Sequence, residues 1–381
     1  MVTIFSGKDE AMKINVVDEF IALASLNSPS RQEGRVAEYL VKRLRELGVE
    51  ATVDDSAACS GSDTGNVIAR LPGTAAGPTV LLCAHMDTVG PTEGMVPAIK
   101  DGVIYSNGET VLGADDKAGL AIILTVLAEL RDGVLPHGPI EVVFTVQEEV
   151  GLFGAKYLHA DLKADFGYIL DGDGPVGNVI HRAPSKVDLD FTLEGKAAHA
   201  GICPEAGVNA IVAAAAAIAS FRSGRLDGET TSNVGLISGG KARNIVPDRA
   251  EVAVEVRSMD SFKLEREVRT VLDAFQEAAA AAGAGLSVRK DVPFETFTIP
   301  QTHPVVVNAV RAARALGITP TLWTSGGGVD ANVFNGRGLP CVALGIGIEE
   351  PHSPKERIPV AQLEAGVRFL KALLKEPVAT A

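Results

Sequence analysis

The stretch 79–89, TVLLCAHMDTV, decides how this sequence folds. Thr79–Ala84 is apolar without alternation, as a strand buried on both faces of a sheet requires. The run then delivers His85 and Asp87 at its carboxyl end. Three further apolar runs do the same. Ile140–Val146 leads to Glu148 and Glu149, Phe166–Leu170 to Asp171, and Pro340–Leu344 through a short loop to His352. In open α/β sheets, ligands gather beyond the carboxyl ends of the strands. Helical spacing is seen at Asp18–Leu26, at Arg35–Leu47 with Gly48 as its stop, and at the strongly apolar Leu120–Leu130. Strands alternating with helices predict α/β architecture.

Near residue 183 the pattern changes. Val187, Leu189, Phe191 and Leu193 alternate with Asp188, Asp190, Thr192 and Glu194, which predicts a half-exposed antiparallel strand. An Ala-rich helix (Val208–Ala219), strands at Val234–Ile237 and Glu251–Arg257, a helix from Ser261 to about Ala281 and a strand at Leu286–Val292 follow. That βαββαβ order is the split ferredoxin-like motif. After Pro300 the first style returns, with helices His303–Leu316 and Ala361–Leu374. The expectation is a discontinuous domain, 1–182 and 302–381, with a mixed, mostly parallel sheet. An α+β domain, 183–301, is inserted into it.

The length of 381 residues allows two or three domains, and the pattern narrows this to two. A net charge of −13, from 48 acidic and 35 basic residues, argues against nucleic-acid or anionic-membrane partners. No apolar run is long enough to span a bilayer. Met1–Leu26 lacks a basic segment followed by an apolar one, so no signal peptide is expected. Cys59, Cys83, Cys203 and Cys341 show no metal or redox spacing, and Cys83 and Cys341 fit buried thiols. A reduced, cytoplasmic protein is expected.

Singly, each polar residue has a bland explanation: a hydrogen-bonded His85, a helix N-cap at Asp115, a solvated Glu148–Glu149 loop, a turn at Asp171, a surface His352. Their joint placement at strand ends points elsewhere. Adjacent acids after an apolar strand resist desolvation unless a cation compensates them. Two histidines and several carboxylates without a thiolate suit Zn²⁺, Co²⁺ or Mn²⁺, and two metals if one carboxylate bridges. Of Glu148 and Glu149, one can bind metal while the other serves as base for a bridging water. Asp87, two residues past His85, fits a carboxylate that fixes the imidazole tautomer.

HMDTV, GADDKAG, QEEVGLFGAK, LDGDG, AHAG, GGKARNIVPD and PHSPKE occur in an order that resembles the dizinc exopeptidases and amidohydrolases. That family includes peptidase T (tripeptidase), carboxypeptidase G, aminoacylase and succinyl-diaminopimelate desuccinylase, and EEVGLFGAK looks closest to the peptidase T-like branch. The similarity spans nearly the whole chain. It implies two Zn²⁺ per chain, with His85, Asp115 and Asp171 at one and Asp115, Glu149 and His352 at the other. Glu148 would be the general base and Asp87 the partner of His85. The inserted domain would be a lid through which a homodimer forms. His199 of AHAG would polarise the scissile carbonyl in the neighbouring subunit's site. Asn244 and Arg257 would contact a substrate carboxylate. One departure is Val329 in SGGGVDANVF, where many relatives carry a hydroxyl; the N–H groups of Gly326, Gly327 and Gly328 remain able to bind a carboxylate.

The function expected is metal-dependent hydrolysis of short peptides by a tripeptidase-like exopeptidase. Two rivals stand beside it: an amidohydrolase or carboxypeptidase acting on N-acyl amino acids, and a metal- or peptide-binding protein without catalysis. A free Glu148 beside the ligands has no use in the second.

Overall fold

The computed structural model describes residues 14–133 and 135–375; residues 1–13, part of the stretch read for a signal peptide, lie outside these. The described residues form two compact units. One holds the chain up to His181, Ile299–Ser325, and Val329 onward; the other holds Arg182–Thr298 with Gly326–Gly328.

In the first unit four strands lie parallel in the order Ile140–Thr145, Val80–His85, Phe166–Gly172, Cys341–Gly345. Every residue of Val80–His85, Ile140–Thr145 and Cys341–Gly345 is buried, which is why these runs carry no alternation. Glu50–Val53 and Val67–Leu71 extend the sheet antiparallel on one side, and Asn178–Ala183 pairs antiparallel with Cys341–Gly345 on the other. The expected mixed α/β sheet is present. Sequence periodicity misses the flanking strands because they are short and mixed in polarity. Arg70, for example, sits opposite Glu141 across the antiparallel register and donates to its carboxylate at 3.0 Å.

The helix expected over Leu120–Leu130 spans Ala114–Arg131. All residues from Asp116 to Ala128 are buried, because the helix packs on the sheet on one side and on helices Val16–Ala24 and Val360–Lys375 on others. Asp115 and Asp116 depart from helical dihedrals, and the peptide bond between them is cis. Gly119 marks a close approach to the sheet. A Cβ there would stand 2.5 Å from the Leu170 carbonyl oxygen and 2.5 Å from Asp116 Oδ1. Gly119→Ala is therefore expected to cost about 1–3 kcal/mol of stability. A fall in Tm checks it, and an unchanged Tm would contradict the packing.

The second unit is a five-stranded antiparallel sheet in the order Gly224–Arg225, Thr230–Gly239, Arg249–Ser258, Ser185–Glu194, Gly285–Phe294. Its long strands and its helices Ala210–Ser220 and Ser261–Ala282 follow the ferredoxin-like order expected. Val187, Leu189, Phe191 and Leu193 point into its core, where Phe191 stacks on Phe275 with ring centroids 3.7 Å apart. Asp260 caps the long helix by accepting from the Phe262 and Lys263 N–H groups, and Gly283 ends it in the left-handed conformation.

Among the described residues no helix is long and apolar enough to cross a membrane. Cys83 and Cys341 are buried free thiols.

Candidate metal centre

The parallel register builds the site. His85 ends its strand opposite Thr145, and Cys83 lies opposite Ile169, so two residues further on His85 and Asp171 come level. The turn after Ile140–Thr145 supplies Glu148 and Glu149, the start of the buried helix supplies Asp115, and the loop after Cys341–Gly345 supplies His352.

Asp115 stands between the two histidines. Its Oδ1 is 3.2 Å from His85 Nε2, and its Oδ2 is 3.2 Å from His352 Nε2. His352 Nε2 also lies 3.2 Å from Glu149 Oε2, and His85 Nε2 lies 3.9 Å from Asp171 Oδ1. Two donor groups thus share one carboxylate. Ligand atoms of His85, Asp115 and Glu149 fall within 4.8 Å of one another, as do those of His85, Asp116 and Asp171.

His85 Nδ1 is 3.0 Å from the Asp87 carbonyl oxygen and 3.3 Å from Asp87 Oδ1, both acceptors, so Nδ1 carries a proton and Nε2 faces the cluster. Asp87 does more than orient this ring. Its Oδ1 accepts the Glu148 N–H at 3.0 Å, and its Oδ2 accepts the Glu149 N–H at 3.3 Å and the Ser30 hydroxyl at 2.6 Å.

The electrostatics follow from crowding acids in a dry place. Burial raises the pKa of Glu148 and Asp171 well above the usual carboxylate range, with neighbouring carboxylates adding to it. Burial also raises Glu149, against the pull of His352. At Asp115 burial is outweighed by the bonds to His352 and His85, which hold its pKa below the usual range. Burial opposes charge on His85, yet Asp115 and Asp87 keep its pKa well above the ordinary histidine value. Asp115 and Glu149 push His352 up to about 10. The cluster favours positive charge at both imidazoles, and Glu149 Oε1 is buried with no hydrogen-bond partner among the described residues. An all-nitrogen-and-oxygen donor set of this kind fits a pair of dications.

Four charged residues of this region escape the sequence reading. Asp116 accepts the His85 N–H on Oδ2 at 3.1 Å and the Gly119 N–H on Oδ1 at 3.1 Å. Glu356 accepts the Gly113 and Asp115 N–H groups at 2.8 and 2.9 Å. Lys117 is fully buried and donates to the Leu26 carbonyl; burial lowers its pKa to about 7. Asp330 accepts the Thr145 hydroxyl at 2.6 Å, and burial pushes its pKa up to about 6. A signal existed for two of them. GADDKAG opens into a helix apolar on all faces, so Asp116 and Lys117 had no solvent face to occupy.

The remaining sequence-predicted residues belong to the second unit. His199 is exposed, and its Nδ1 accepts the Gly201 N–H at 3.2 Å, which puts the proton of a neutral ring on Nε2. Asn244 is its neighbour: the Ala200 N–H donates to the Asn244 carbonyl at 2.9 Å, and His199 forms a β-bridge with Ile245. Arg257 donates Nε and Nη2 to Glu255 at 3.2 and 3.1 Å and Nη1 to the Gly326 carbonyl at 3.1 Å. A Cβ on Gly328 would meet the Phe294 ring at 2.3 Å, so glycine is required there for packing. Gly326 and Gly327 lie beside it in the same unit. Val329, in the first unit, is buried and gives its N–H to Asn332 Oδ1 at 3.0 Å.

The sequence profile of Peptidase family M20/M25/M40 matches residues 81–376. The chain is 39% identical to the Bacillus subtilis protein YqjE, over 95% of this chain and 98% of that one. Two solved structures are similar throughout. The aminopeptidase PepT of Bacillus cereus is 42% identical with a TM-score of 0.87, covering 94% of this chain and 97% of its own. A tripeptidase of Staphylococcus aureus is 36% identical with a TM-score of 0.91, covering 95% and 98%.

Proposed function

This chain belongs to Peptidase family M20/M25/M40, and from that membership we propose that it is a zinc-dependent exopeptidase that cleaves short peptides, tripeptides above all. The observation that carries the metal chemistry is Asp115, whose two oxygens each face a different histidine at 3.2 Å. The tripeptide preference rests on the likeness to PepT and to the tripeptidase.

In this reading His85, Asp115 and Asp171 hold one Zn²⁺, and His352, Asp115 and Glu149 hold the other; Co²⁺ or Mn²⁺ suit the same donors. Bound there, the two dications supply Lewis acidity that acidifies a water and polarises a carbonyl. The chain does the rest. Glu148, whose N–H is anchored by Asp87 Oδ1, accepts the proton of the attacking water as its oxygen bonds to the carbonyl carbon. It then passes that proton to the leaving amine as the C–N bond breaks. Asp87 keeps the His85 proton on Nδ1. His199, whose Nδ1 accepts the Gly201 N–H, donates from Nε2 to the oxygen of the tetrahedral intermediate in the neighbouring subunit's site. Asn244, Arg257 and the N–H groups of Gly326, Gly327 and Gly328 bind the substrate carboxylate.

The first unit is the catalytic domain in this proposal and the second a lid through which two cytoplasmic copies pair. Support for pairing comes from the Thr230–Gly239 strand. Gly224–Arg225 covers only its Thr231–Ser232 positions, and Leu236 and Ile237 beyond them are 72% and 56% exposed.

A panel of tripeptides, dipeptides and N-acetyl amino acids, assayed with Zn²⁺ and after chelation, tests the function. Cation-dependent release of the N-terminal residue from tripeptides is expected, falling to background with chelator and returning when Zn²⁺ is restored. Faster hydrolysis of N-acetyl amino acids would instead favour an amidohydrolase.

A further inference from the structure

Glu356 has no part in the chemistry assigned so far, yet it is 1% exposed in a region already crowded with acids. Its position explains why it is there. Oε2 accepts the Gly113 N–H and Oε1 accepts the Asp115 N–H. These are the backbone groups on which the shared carboxylate is mounted, at the point where the chain leaves helical geometry. Glu356 also belongs to the loop that carries His352. That loop is closed at its base by paired Glu349 and Arg357 backbone bonds of 2.9 and 3.0 Å, and inside it the Glu356 N–H donates to the Ser353 carbonyl at 3.0 Å. One side chain therefore ties the mounting of Asp115 to the mounting of His352.

The residue type matters as much as the place. Two convergent N–H donors need two acceptors, and a carboxylate has acceptors only. A glutamine would turn its NH₂ towards one of the donors and leave a buried N–H unsatisfied. The Gly113 and Asp115 N–H groups that Glu356 accepts offset the cost of burying its charge.

We propose that Glu356 is a positioning residue that sets the Asp115 carboxylate against His352 and so governs cation affinity at the shared site. The proposal rests on the metal centre assigned above. Calorimetric titration of the cation-free full-length chain with Zn²⁺ tests it, together with Tm measured in chelator. Glu356→Gln should lose about 10–100-fold in affinity, the range typical for groups that orient metal ligands. Glu356→Asp keeps both acceptors with a shorter reach and should fall between Gln and the wild type. Co²⁺ loading should give a shifted visible spectrum in Glu356→Gln, reporting a changed ligand arrangement. Wild-type affinity in Glu356→Gln overturns the proposal and leaves the metal centre standing, and so does a lowered Tm without a change in affinity. Failure of the wild-type chain to bind any cation overturns both. If Glu356→Gln does not fold, wild-type affinity in Glu356→Asp overturns the proposal and weakened affinity sustains it.

Discussion

Glu148→Gln is expected to lower kcat for tripeptide cleavage by about 10²–10⁴-fold, the usual worth of a positioned general base, while cation content stays at the wild-type level. The substitution keeps the shape of the side chain and the backbone bond from its N–H to Asp87 Oδ1. It removes only the capacity to take a proton. The interaction lost exists in the transition state and not in the bound substrate, so KM should move little. The adjacent Glu149 cannot substitute, because its carboxylate is already engaged with His352 at 3.2 Å. Steady-state kinetics with metal analysis on the same preparation checks both halves. Near-normal turnover would remove Glu148 from the mechanism, and loss of cation would make it a ligand.

Asp115→Asn should be more damaging still. The amide keeps one oxygen and converts the other to an NH₂ donor, so whichever way it turns, one histidine faces a donor in place of a carboxylate oxygen. Outer groups that merely orient ligands cost about 10–100-fold in affinity, and a shared ligand should cost at least about 100-fold. Turnover should drop below that of Glu148→Gln at equal cation. Stability in chelator should fall, because the bonds of Asp115 to His352 and His85 outweigh the cost of its burial, so cation affinity is read on protein shown to be folded. Calorimetry on the variant provides the check: two tightly bound Zn²⁺ would contradict the shared-ligand assignment.

What was legible in the sequence has a physical reason. Strands buried on both faces write themselves as unbroken apolar runs, and a parallel sheet aligns their carboxyl ends. The polar residues ending four such runs therefore point to one place. The order of HMDTV, GADDKAG, EEVG and PHSPKE carried the family resemblance, which the profile match over residues 81–376 bears out. The alternation from Val187 to Glu194 is equally plain, because one sheet face is packed and the other open.

The rest is invisible for equally physical reasons. Asp116 and Glu356 act by accepting backbone N–H groups, and a backbone donor has no letter in the sequence. The strands Glu50–Val53 and Val67–Leu71 flank the sheet, where a charged residue such as Arg70 can be paired and periodicity dissolves. Gly328 reads as part of an anion cradle, and the Phe294 ring, which leaves no room for a Cβ, is a second constraint on the same position. Arg257 reads as a substrate contact, and the letter is silent on the Glu255 carboxylate and Gly326 carbonyl that its guanidinium also holds. A packing constraint and a binding constraint leave the same letter.

The most direct test of a two-cation peptidase is to titrate the cation-free chain with Zn²⁺ while following tripeptide hydrolysis. Turnover should rise from background and level off at two equivalents per chain. Full turnover without added cation, or a plateau at one equivalent, would contradict the shared Asp115 centre.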